Sequence, residues 1–207
     1  MMDDFTQYQL KEYENISQAH FKTNEVLATF YRYFLLIAAI PITTIGIAVM
    51  NISDDGIGPE TRVLGQYIFG ISALLLSIVG AAVISYIEGL RLDAILYARV
   101  VNSIRDYFFK KPGNEEFGPS VLPRERNRPS YAGFGAGFII YFACAIMNAT
   151  YFSAGIVVLM TDRDAPLETL ALSHAQLAGA VISFCAVMTV QAIVRCRLIA
   201  DKASKGF

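Results

Sequence analysis

Charge is scarce in this sequence of 207 residues: Asp, Glu, Lys and Arg make up 17% of it, against 55% hydrophobic residues. A water-soluble domain needs roughly a quarter of its residues charged to clothe its surface. The few charges are also segregated. None falls within Tyr33–Ile52, Val63–Ile87, Tyr131–Thr161 or Thr169–Val194. A helix rising about 1.5 Å per residue needs roughly 20 residues to cross a hydrocarbon core, and each run is long enough. The runs also lack the polar face, at helical spacing, that a soluble bundle would show. The sequence therefore predicts an all-α fold: an integral membrane four-helix bundle with spans at 33–52, 63–87, 134–160 and 170–194.

Cysteine and histidine are nearly missing too. Cys144, Cys185 and Cys196 lie in or beside spans, so neither a disulfide framework nor a CxxC metal pair is present. Cys196 reads as a small buried residue, with palmitoylation as the alternative. His20 and His174 are expected on opposite sides of the membrane and cannot share a metal or a catalytic site. The sequence has no P-loop, GxSxG or HExxH pattern, and Gly133-Phe134-Gly135-Ala136-Gly137 lacks the strand–turn–helix setting of a dinucleotide loop. No enzyme, metal or cofactor is expected. No signal peptide is read before the first span, because the leading segment is acidic (Asp3, Asp4).

Where charge does occur, it has a direction. Lys and Arg near span ends are retained in the cytoplasm. Segments 1–32, 88–130 and 195–207 carry fifteen of the 17 basic residues, and only Arg62 and Arg163 lie in the other two connections. Those two connections also hold Asp54, Asp55, Glu60, Asp162, Asp164 and Glu168. Both termini are expected inside, in an inner (plasma) membrane.

On that inner side, residues 8–32 read as a helix leading into the first span, where Pro41 should kink the chain with Thr43 and Thr44 satisfying freed carbonyls. The second span should continue about five turns as a cytoplasmic helix, because Leu90, Tyr97, Val101, Ile104 and Phe108 keep an apolar stripe. Arg91, Asp93, Arg99, Arg105 and Asp106 are expected on its other faces. The stripe needs cover from residues 8–32, from another protomer or from headgroups, and is the predicted docking face for a cytoplasmic protein partner. Segment 112–130 holds four of the seven prolines and reads as a loop. Its Arg124, Arg126 and Arg128 are placed to meet anionic lipid or a ligand, and form the one candidate contact for nucleotide or nucleic acid.

Small residues let helix backbones approach in lipid, where apolar burial drives nothing. Ala73, Ser77, Ala81, Ser85 and Gly89 recur at every fourth position of the second span. The third has Gly133 with Gly137, then Ala145, Ala149 and Ser153; the fourth has Ala171, Ala175, Gly179 and Ser183. These seams pack the bundle internally or face a second copy, making a homo-oligomer. No span centre holds an ionisable residue, which argues against a proton-coupled exporter. Asn148 is read as an interhelical hydrogen-bonding residue or a pore-lining one.

Two stretches, Thr29–Pro41 (TFYRYFLLIAAIP) and Asp93–Phe108 (DAILYARVVNSIRDYF), resemble segments of small bacterial four-span membrane proteins. The layout also resembles membrane components of anti-phage defence operons. That resemblance implies a compact bundle acted on by a cytoplasmic partner or nucleotide signal. The expected function is a homo-oligomeric multi-pass sensor or anchor, with a pore-forming effector and a small transporter as alternatives.

Overall fold

The computed structural model describes residues 4–52, 59–110, 129–131, 133, 135–161 and 173–204, with side chains left aside at 4–5, 40–52, 59–62, 109 and 136. Four helices account for nearly all of them: α1 (Asp4–Ile52), α2 (Pro59–Phe109), α3 (Ala136–Met160) and α4 (His174–Ser204). Among the described residues, three helices, α2, α3 and α4, are long and apolar enough to cross a membrane. Most of the expected first span, 33–52, falls on residues whose side chains lie outside the description, as do Thr43 and Thr44.

Local chemistry sets several helix features. α2 opens on Pro59, whose fixed φ suits a first helical position and whose missing N–H would be unpaired there anyway. It runs to Phe109, with Lys110 Nζ on Asp106 at 2.7 Å across the last turn. α4 opens four residues later than the expected span, at a capping box. The Gln176 N–H donates to Ser173 Oγ at 3.2 Å, and the Ser173 N–H donates to Gln176 Oε1 at 2.8 Å. α1 continues through Pro41, which removes the donor for the Ile37 carbonyl. The neighbouring Ala38 carbonyl accepts the Tyr151 hydroxyl.

The chain divides into two compact units. Unit 1 gathers Met1–Phe30, Tyr86–Phe138 and Cys196–Phe207; unit 2 gathers Tyr31–Ser85 and Ile139–Arg195. Unit 2 has a core of Phe34, Ile84, Tyr141, Cys144 and Ala145, joined by Tyr31, Val83, Met147 and Met188. Its α2 and α3 come into backbone contact, since a Cβ added at Gly155 would stand 2.9 Å from the Gly70 carbonyl oxygen. Ser77 Oγ donates to the Asn148 carbonyl at 3.1 Å, and Ser153 Oγ donates to the Ala180 carbonyl at 2.6 Å. Unit 1 has a smaller core of Leu92, Ile95 and Tyr131, with Leu198 and Ile199 against it.

The α2 seam departs from the one expected. Buried positions run Gly70, Ala73, Ser77, Gly80 and Ile84 in unit 2, then Ile87, Arg91 and Ala94 in unit 1, alternating steps of three and four. Steps of four advance about 40° per step around a helix, whereas alternating steps stay close to one line. Ala73 and Ser77 therefore lie on the seam, while Ala81, Ser85 and Gly89 rotate off it and are half-buried. Ser85 Oγ bonds its own helix at the Ala81 carbonyl, and an added Cβ at Gly89 meets nothing within 4 Å. On α3, Ala145, Ala149 and Ser153 are all buried. On α4, Gly179 faces Met160 and Ser183 bonds Ser153, while Ala175 is exposed and Ala171 lies outside the described residues.

Candidate functional site

The densest polar arrangement among the described residues lies in unit 1. Glu88 and Arg91 are three apart on α2 and so share a face. Glu88 is 0% exposed and Arg91 9%. The guanidinium grips the carboxylate with both prongs of its fork, Nε to Oε2 at 2.8 Å and Nη2 to Oε1 at 2.6 Å. Arg91 Nη2 also donates to the Tyr131 carbonyl at 3.2 Å, just ahead of α3. Gly137 makes room for it, since an added Cβ would stand 2.9 Å from Arg91 Cδ. Gly133, by contrast, is half-buried, and its nearest neighbour is the Ser130 carbonyl.

A second arginine holds the same segment. Arg99 stands 4.0 Å over the Tyr131 ring and donates through Nε to the Pro129 carbonyl at 2.9 Å. α4 is tied in by Lys202, which is paired with Asp93. The N-terminal part of α1 is tied to α2 at two points. His20 donates from Nδ1 to the Ala94 carbonyl at 3.0 Å and accepts Asn24 Nδ2 on Nε2 at 3.1 Å. Arg105 Nη2 donates to the Tyr13 hydroxyl at 2.9 Å.

Three expectations change here. Arg91, expected on an outer face, is buried with Glu88, because the covered face of α2 in unit 1 is Ile87, Glu88, Arg91, Leu92, Ala94 and Ile95. The stripe Leu90, Tyr97, Val101, Ile104 and Phe108 is not free: Val101 is buried and the other four are half-buried within one chain. Residues 4–30 belong to the same unit and supply the contacts of His20 and Tyr13. Cys196 is exposed, not buried. An acid and a base at i and i+3, flanked by the apolar Ile87 and Leu92, were the available signal for the buried pair. Spacing alone normally marks an exposed pair, so cover by 131 and 137 had to be seen.

Arg124, Arg126 and Arg128 lie outside the described residues. Asn148 is 2% exposed, its Nδ2 without a hydrogen-bond partner, and an added Cβ at Gly80 would stand 2.3 Å from its Oδ1. That position fits the interhelical role on α2 and α3. His20 is half-buried in unit 1, and His174 is exposed at the start of α4. No group of three or more His, Cys, Asp or Glu among the described residues is placed to hold a metal. Arg91, Arg99, His20, Arg105 and Lys202 each join two segments of the chain in unit 1.

Hydrogen bonding to Asp93 holds the Lys202 ammonium above the ordinary lysine value of 10.5. A raised lysine pKa means that the native state binds the proton more tightly, so the stabilisation is whole below the unfolded value and is lost as pH rises through the folded one. The stability gap between the wild type and Lys202→Ala is thus expected to stay constant from about pH 6 to about pH 9 and to shrink above about pH 10.5. Thermal melts across that range check it; a gap that closes between pH 7 and 9 contradicts it.

These features define an all-helical protein in which, among the described residues, three helices are long and apolar enough to cross a membrane, and in which unit 1 holds a buried ion pair. Comparison with protein-family models, curated proteins and solved structures gave no match.

Proposed function

We propose that this chain is a homo-oligomeric four-span membrane component, a sensor or anchor that displays unit 1 in the cytoplasm to a soluble protein partner. One observation carries the reading. The three segments that the charge pattern assigns to the inside are far apart in sequence, yet the fold gathers 1–30, 86–138 and 196–207 into one unit. Eight of the described basic residues belong to it. An even number of crossings brings both ends and the central connection to one side; three crossings would separate the ends.

Self-association draws support from α4. Only 6% of its apolar window is covered by its own chain, against 28% for α2 and 33% for α3. In the proposed docking surface Leu90, Tyr97, Ile104 and Phe108 are half-buried and Val101 is buried, so the stripe offers only part of its area to a partner. Phe21 and Tyr107 in unit 1, 70% and 36% exposed, are the better contact residues for a partner. A setting in bacterial anti-phage defence rests on the resemblance of the two quoted stretches alone.

Reporter fusions after Phe109 and Phe207 are expected to read as cytoplasmic, and fusions within 53–58 and 162–168 as external. Opposite sides for the two termini would sink the four-span reading. Photo-crosslinkers at Phe21 or Tyr107 in living cells should capture a soluble cytoplasmic protein; adducts to lipid alone would remove the partner. Conductance by the purified protein in liposomes would replace the anchor with a pore.

A further inference from the structure

At one end of unit 2, three side chains of α3 and α4 form a second polar group that the inner unit does not use. Gln191 is 6% exposed, and neither its Oε1 nor its Nε2 has a hydrogen-bond partner among the described residues. A primary amide buried in this way is uncommon, because desolvation without compensation is unfavourable. Its own backbone carbonyl accepts the Tyr141 hydroxyl at 2.8 Å, which fixes the ring beside it. One turn on, at i+4 and so on the same face, the Arg195 guanidinium stands 5.3 Å from the centroid of that ring. An amide offering donors, a planar cation and an aromatic plate are thus gathered where the apolar run of α4 ends at Val194.

We propose that Gln191, Arg195 and Tyr141 form a binding site for a phosphate group, supplied by an anionic phospholipid of the inner leaflet. The forked guanidinium suits phosphate oxygens, and the Gln191 amide adds a neutral donor to the same anion. A cation at the inner end of a span lies at headgroup depth. The choice of lipid as the source rests on the membrane reading above; the phosphate chemistry does not.

The test uses the full chain purified in detergent and titrated with phosphatidylglycerol, phosphatidylcholine or inorganic phosphate, with retained ligand read by native mass spectrometry. The wild type is expected to prefer phosphatidylglycerol over phosphatidylcholine by about five-fold or more. Arg195→Gln and Gln191→Leu should each abolish that preference, while Arg197→Gln, at an exposed neighbour, should keep it. Retention that inorganic phosphate fails to displace assigns the site to lipid, and displacement assigns it to a soluble phosphate compound. Equal retention of the two lipids without any phosphate effect overturns the proposal, as does an equal loss in Arg197→Gln. Loss of the membrane reading itself would show separately, as release of the protein by an alkaline carbonate wash.

Discussion

Glu88→Gln is expected to destabilise the protein by about 3–5 kcal/mol, the cost of leaving one partner of a buried ion pair uncompensated. The substitution keeps the shape of the side chain and removes its charge. Arg91 then holds a full positive charge at 9% exposure, facing a neutral amide and the Tyr131 carbonyl. Water cannot reach to replace the carboxylate without opening the segment that leads into α3. The double variant Glu88→Leu with Arg91→Leu should recover much of that loss, since apolar replacement of a whole buried pair is often neutral or better. Salt should have little influence on either variant, because a pair this enclosed is poorly screened. Helix melting followed by circular dichroism in detergent measures all three proteins. A Glu88→Gln melt that overlays the wild type would mean that the pair is solvated and that unit 1 is held by something else.

The second large effect is expected at Gly155, inside unit 2. In Gly155→Ala the new methyl would stand 2.9 Å from the Gly70 carbonyl oxygen and 3.0 Å from Leu74 Cγ. The oxygen belongs to helix backbone and cannot turn aside, so α2 and α3 must separate. Overpacking of this kind costs about 1–3 kcal/mol. Gly70→Ala is expected to lose less, because its nearest obstacle is the Leu159 side chain, at 2.7 Å, which has other rotamers. Gly89→Ala should go the other way. Nothing lies within 4 Å of its added Cβ, and alanine is favoured over glycine in a helix interior by about 0.8–1.0 kcal/mol. The ordering Gly89→Ala above wild type, then Gly70→Ala, then Gly155→Ala lowest is the checkable result. A stabilised Gly155→Ala would show that the two helices do not touch there.

Much of this arrangement was legible from residue order, and the misses have identifiable causes. The helices follow from runs without charge, and the extension of α2 to Phe109 follows from an apolar stripe that continues past Ile87. The seam of Ala145, Ala149 and Ser153 was readable because three small residues at one spacing share a face. On α2 the same rule was carried too far. A strict step of four over sixteen residues rotates away from its starting line, so Ser85 and Gly89 left a seam that Gly70 and Gly80 joined. Neither glycine stood out, since glycine in a helix has meaning only when the opposing backbone is known. In the sequence Gln191 and Arg195 are one amide and one basic residue at the end of an apolar run. Their common face with Tyr141 depends on how α3 lies against α4.

Residue order alone determined where the long helices run, that four runs without charge are each long enough to cross a membrane, and that basic residues collect in three separate segments. These are properties of consecutive residues, set by helix geometry and by the cost of moving charge out of water. Tertiary structure alone decided that Glu88 and Arg91 are buried, that Gly155 meets Gly70, and that residues 4–30 share a unit with the stripe that needed cover. Each of these depends on atoms far apart in the chain, and an i,i+3 ion pair or a lone glycine reads the same in sequence whether water or another helix lies beside it.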